Sequence, residues 1–221
     1  MASHLDLEEQ EQLDQIKSFW TQWGNLITTV LTLVLLAFAS WNGWNYWQQR
    51  QAAQAAVLFD TFENASKQGD LTLLARSLSD LQDQFPRATL TAQASLLAAK
   101  TYFDKEQPTD AEKPLTWVVD HASDEAYVAL ARLRLSALAI QRKDMAKARS
   151  WVEGKTPPTG FQTLFDDRLG DIALIEGKHD EAKSRFISAY KAMDESSEYR
   201  RLIEVKLSTL GVDVGSAEFK K

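Results

Sequence analysis

The chain has 221 residues, a formal charge of −6 and no cysteine, so disulfides and thiol chemistry are excluded. Much of the negative charge lies before Ser18, where Asp6, Glu8, Glu9, Glu11 and Asp14 oppose Lys17 alone. The remainder is near balance and offers no basic face of the kind that tracks phosphates, so nucleic acid is not an expected partner.

The acidic segment carries a helical signal. Leu13, Ile16, Trp20 and Trp23 recur on one helical face, and Asp6 followed by Glu9 reads as a helix start with Asp6 as N-cap. A helix leading into the next segment is expected.

That segment is the strongest feature of the first half. No side chain is charged from 18 to 49. A helix crossing the ~30 Å hydrocarbon core needs about 20 mostly apolar residues, and 26–46 supplies them. Five of the seven tryptophans flank this stretch: Trp20 and Trp23 at one end, Trp41, Trp44 and Trp47, with Tyr46, at the other. Indoles prefer the headgroup level, so two aromatic girdles mark two interfaces, and the lipid bilayer is an expected partner. A cleaved signal peptide is the rival, with Ala37-Phe38-Ala39 as its cleavage site, but the acidic tail is the wrong n-region. Orientation stays open on charge, because Lys17 and the α-amine balance Arg50 and the more distant Lys67. The layout is a short acidic tail (1–22), an anchor helix (23–48), a soluble domain (49–211) and a flexible tail (212–221).

Past Tyr46 there is neither proline nor glycine until Gly69. The anchor helix is therefore expected to continue into the first soluble helix as a rigid element that keeps the domain near the membrane. Ala55, Phe59, Phe62 and Ser66 form its packing face.

The soluble domain reads as all-α and repetitive. In LGDIALIEGKHDEAKSRFISA, Leu169 and Gly170 open a unit, Ala173 follows, Gly177 marks a turn, and Ala182, Phe186 and Ala189 complete it. Gly170 and Ala182 are small where two antiparallel helices cross. Leu169 and Phe186 fill the space around them. Leu135, Ser136, Ala139, Ala148 and Val152 echo Leu169, Gly170, Ala173, Ala182 and Phe186 at a step of 34 residues, the tetratricopeptide period. A fainter echo places Ala99, Tyr102, Ala111 and Leu115 at the matching positions, spaced 37 from the next and with Pro108 in its turn. A degenerate unit over 62–86 would put Ala75 at the crossing and Phe85-Pro86 at its close. Such hairpins share a continuous core only when stacked. The expected fold is thus one N-terminal transmembrane helix running into a tetratricopeptide-repeat-like α-solenoid. A capping helix over 198–210 closes it, with Leu202, Ile203, Val205 and Leu207 inward and Arg200, Arg201, Glu204 and Lys206 outward.

Signs of chemistry are absent. His4, His121 and His179 are isolated, so neither a metal nor another cofactor is expected. Asp166-Asp167 precede Leu169 and read as acids at a helix start. There is no phosphate loop, dinucleotide fingerprint or nucleophile elbow. A non-enzymatic binding protein is expected. Its candidate contacts are the outward residues of the first helix of each pair: Lys100, Asp104, Arg134, Gln141, Asp171 and Glu176.

The aromatic exit Trp44-Asn45-Tyr46-Trp47 and the block Arg168-Leu169-Gly170-Asp171 leading to Gly177-Lys178 resemble the YfgM family, the ancillary subunits of the bacterial SecYEG translocon. The resemblance covers the span and nearly all of the soluble domain. It implies an inner-membrane protein with a cytoplasmic N-terminus and a periplasmic repeat domain. The implied partners are SecYEG, a PpiD-type chaperone and newly exported client polypeptides. Two alternatives differ in class: a scaffold for another envelope complex, in outer-membrane assembly or cell division, and a cryptic hydrolase with clustered, perturbed acids in a cleft.

Overall fold

The computed structural model describes residues 7–215, with side chains described at residue 13 and from residue 17 onward. The expected N-cap Asp6 and the side chain of Ile16 lie outside the described residues. The chain divides into two units, Met1–Ala52 and Ala53–Lys221.

In the first unit the chain is helical throughout its described part, within α1 (Leu7–Gln68), which is uninterrupted at Trp47. Among the described residues, one helix is long and apolar enough to cross a membrane, and 6% of its apolar window is buried. A core helix of a globular domain would be mostly covered. Trp20, Trp23, Trp41, Trp44, Tyr46 and Trp47 are all exposed. Several polar side chains along the stretch bond within the helix, which lowers their cost in hydrocarbon. Thr28, Thr29 and Thr32 donate their hydroxyls to the carbonyls of Gly24, Asn25 and Thr28 at 2.8, 2.7 and 2.7 Å. Asn42 donates to the Phe38 carbonyl at 2.9 Å. Past the apolar run, the Arg50 guanidinium lies 5.0 Å from the Tyr46 ring centre.

The second unit is built from the C-terminal part of α1, α2 (Leu71–Gln84), α3 (Thr89–Asp104), α4 (Pro108–His121), α5 (Glu125–Gln141), α6 (Met145–Val152), α7 (Gln162–Ile175), α8 (His179–Ala192) and α9 (Glu198–Thr209). Among the described residues there is no strand. The helices pair as α1–α2, α3–α4, α5–α6 and α7–α8, with α9 last.

One local device ends every first helix. Gly69, Glu106, Lys143, Gly177 and Gly211 all have φ between 59° and 75°, at steps of 37, 37, 34 and 34 residues. In each case the next N–H returns to the carbonyl five residues back: Asp70 to Ala65, Gln107 to Tyr102, Asp144 to Ala139, Lys178 to Ala173 and Val212 to Leu207, at 2.8–3.0 Å. This left-handed closure satisfies the orphan carbonyls of a helix end. At Gly69 and Lys143 the next residue is an aspartate that caps the following helix with its side chain. Asp70 accepts from the N–H groups of Thr72 and Leu73, Asp144 from that of Lys147, and Pro108 takes the first helical position after Gln107.

The core is a relay. Phe62 and Ala65 pack with Leu74, Leu78, Leu81 and Ala98. Ala99, Ala111 and Leu115 then pack with Leu135, and Ala139 and Ala148 with Leu169. Ala173, Ala182, Phe186 and Ala189 close on Ile203 and Leu207. Each cluster passes a helix to the next, so no hairpin buries its apolar face alone. The echo positions Leu135, Ala139, Ala148 and Val152 are buried like Leu169, Ala173, Ala182 and Phe186.

Three expectations require correction. On α2 the buried face is Leu74, Ser77, Leu78 and Leu81, and Ala75 is exposed; the larger leucines take the interior and rotate the helix. On α9 only Ile203 and Leu207 are buried, whereas Leu202 and Val205 are exposed. Lys206, expected outward, is instead drawn onto α7. Finally, Val212 is 8% exposed and joins the last cluster with Val214, so the start of the expected flexible tail is packed, and its residues 216–221 lie outside the described residues.

A candidate partner-binding surface

The six expected binding candidates lie on α3, α5 and α7, with Glu176 just past the end of α7. Lys100 and Asp104 are four residues apart on α3 and form an exposed ion pair at 2.5 Å. Gln141 is exposed at the end of α5. The other three are engaged internally. Arg134 is half-buried and donates from Nη1 to the Leu96 carbonyl at 2.9 Å, stitching α5 to α3; burial lowers its pKa. Asp171 lies 2.7 Å from Lys206, and burial raises its carboxyl against the pull of that ammonium. Glu176 is 2.9 Å from Lys178 and 2.7 Å from Arg149, and these two cations hold it below the ordinary range. The open polar positions are therefore Lys100, Asp104 and Gln141.

Asp166 and Asp167 are not at a helix start. They lie inside α7, 6% and 3% exposed, and each anchors a different neighbour. Asp166 accepts from Arg185 of α8 at 2.9 Å, Gln162 at 3.1 Å and Ser188 at 3.3 Å. Asp167 accepts from the Tyr199 hydroxyl and from Lys206, both of α9, at 2.7 Å. Buried carboxylates of this kind persist only when fully paired. Lys206 also sits 5.1 Å from the centre of the Phe186 ring. The last helix is thus seated by a polar seam around two apolar pegs, Ile203 and Leu207.

What the sequence reasoning missed on this surface is apolar. Phe103, Ile175, Leu202 and Val205 stand on first helices with 47, 54, 46 and 60% of their area exposed. The repeat steps carry Lys100 to Ala137, Asp171 and Val205, so one position alternates between charged and apolar along the array. That alternation was available to a repeat alignment extended through α9. Exposed aromatic and aliphatic side chains beside a few polar groups suit a protein ligand.

A shallow cleft lies elsewhere, at the starts of α3 and α5, lined by Pro86, Arg87, Thr89, Ala122, Asp124 and Tyr127 among others. Its one acid, Asp124, accepts from the Ala126 N–H at 2.8 Å as the cap of α5. Of the histidines, His121 stacks on Trp117 with ring centres 4.8 Å apart, and His179 opens α8.

Stacked helical hairpins behind an apolar N-terminal helix define the class: a tetratricopeptide-repeat-like protein with one candidate membrane span. The profile of the "Tetratricopeptide repeat-like domain" matches residues 17–212. The chain is also 34% identical over 212 residues to the "Ancillary SecYEG translocon subunit" of Neisseria gonorrhoeae, covering 95% of this chain and 100% of that protein. The chain belongs to the YfgM-type family of tetratricopeptide-repeat-like proteins that these two matches define.

Proposed function

We propose that this protein is a non-enzymatic ancillary subunit of the Sec translocon. The single span anchors it in a bacterial inner membrane with the N-terminus cytoplasmic and the repeat domain periplasmic. The repeat domain serves as an adaptor that docks a PpiD-type chaperone and meets newly exported polypeptides. The observation that carries this reading is full-length similarity to the Neisseria protein named as a translocon subunit. The exposed Phe103, Ile175, Leu202 and Val205 support a role in protein contact.

The test is site-specific photo-crosslinking from positions 103, 175 and 205 in intact cells, together with protease access to the domain in spheroplasts. Adducts with translocon subunits and a periplasmic chaperone, on a protease-accessible domain, are expected. Adducts with cytosolic proteins alone, or with an outer-membrane assembly or division complex, would overturn the assignment.

A further inference from the structure

Two ion clusters bind consecutive hairpins. In the first, Glu112 of α4 accepts from Arg142, just past α5, at 2.5 Å and from Lys147 of α6. In the second, Arg149 of α6 donates to Glu176, just past α7, and to Glu181 of α8, both at 2.7 Å. Glu153 stands 3.2 Å from Arg149, and Lys178 is 2.9 Å from Glu176 at the rim.

The repeat steps superimpose these clusters. A step of 37 residues carries 112 to 149, and a step of 34 carries 142 to 176 and 147 to 181. The same three positions are used in both seams, and every sign is reversed. The central side chains, Glu112 and Arg149, are 21% and 15% exposed, where a mismatched charge is poorly screened by water.

Part of the apolar contact recurs in both seams. Leu135 and Leu169, Ala139 and Ala173, and Ala148 and Ala182 are identical pairs at equivalent buried positions. Buried Ala131 and Phe165, one repeat step apart, differ in size, so the apolar match is partial, and adjacent similar repeats remain prone to swapped pairing.

We propose that the inverted polarity is a register key that fixes which hairpin follows which, both within one chain and between copies. If α7–α8 docked on α4, Glu176 and Glu181 would meet Glu112, offset only by the rim ammonium of Lys178. If α5–α6 docked on α6, Arg142 and Lys147 would meet Arg149, offset only by the rim carboxylate of Glu153. Each wrong pairing gathers three like charges, whereas each correct one places one charge between two opposites. The corresponding place on α2 is the exposed, uncharged Ala75, so the key operates at the two later seams.

The key can be removed without removing the ion pairs. In full-length protein, E112R/R142E/K147E keeps opposite charges in the first seam but gives both seams the same polarity. R149E/E176R/E181R reaches uniform polarity from the other side, and the six-fold variant restores the inversion. Each is unfolded in urea in detergent micelles and refolded, and copy number is read by light scattering. The triples are expected to refold with a several-fold larger share of exchanged dimer than the parent, and the six-fold variant to return to the parental share. The two triples are independent routes, so one that does not fold leaves the other to decide. Refolding of the triples with the parental copy number, or a six-fold variant no better than the triples, overturns the proposal.

Discussion

A Cβ built on Gly170 would lie 2.5 Å from Cε1 of Phe186. That separation is far inside van der Waals contact, and the intruded atom belongs to a ring that is itself fully buried. Gly170→Ala therefore overpacks the α7–α8 crossing, at a cost of about 1–3 kcal/mol. Chemical denaturation should show a lower midpoint, and G170A/F186L should recover part of the loss. At the equivalent buried positions stand Ser136, which already carries a Cβ, and the smaller Val152, so Ser136→Ala is expected to lose no comparable stability.

The five left-handed helix ends are not chemically equal. Lys143 at φ 62° and Glu106 at φ 59° carry side chains where Gly69, Gly177 and Gly211 do not. A left-handed non-glycine residue costs roughly 1–2 kcal/mol, part of which glycine returns as lost chain entropy. Lys143→Gly is expected to raise stability by up to about 1 kcal/mol, and Gly177→Ala to lower it by about 1 kcal/mol. Thermal unfolding of the two variants should shift in opposite directions.

The seam under α9 can be weakened at one hydroxyl. Tyr199 donates to Asp167 at 2.7 Å, and burial followed by that contact raises the phenol pKa. Tyr199→Phe leaves the buried carboxylate with Lys206 alone, a loss of about 1–3 kcal/mol for a hydrogen bond to a charged group. Hydrogen exchange should rise in α9 before it rises in α3 or α5, since local opening begins at the least buried terminal element.

Acid should loosen the first ion cluster. Hydrogen bonding from Lys147, with Arg142 adding to it, holds the Glu112 carboxyl below its ordinary 4.5. The unfolded chain then binds the proton more readily, so this contribution is fully present above about pH 4.5 and is lost as pH falls through the lower native value. Glu112→Gln should flatten the stability–pH curve below about 4.5. Asp171 has the opposite sign, because burial raises its carboxyl: its ionisation costs stability at neutral pH, and the cost is relieved on acidification. Asp171→Asn should therefore steepen the acid loss that Glu112→Gln flattens.

Much of this protein was determined locally in its sequence. The uncharged aromatic-flanked stretch, the 34-residue echo, Gly177 at a turn and the small residues at the crossings all express periodicities of the helix and the hairpin. Helical geometry repeats them wherever the side chains recur. Leu135, Ala139, Ala148, Leu169, Gly170, Ala173, Ala182 and Phe186 are buried where that pattern puts them. The roles of the polar residues were decided only in the tertiary structure. Asp167 reads as a helix-start acid until Lys206, 39 residues on, closes on it, and Arg134 reads as a surface cation until the Leu96 carbonyl, 38 residues back, accepts from it. The same seam turns α9, so that Ile203 and Leu207 become its pegs and Leu202 and Val205 its exposed face. The charges of Asp167 and Arg134 have partners 39 and 38 residues away that local periodicity does not name, whereas an apolar side chain needs only a side to hide on. Stacking therefore chose which charges became fastenings and which side chains stayed exposed.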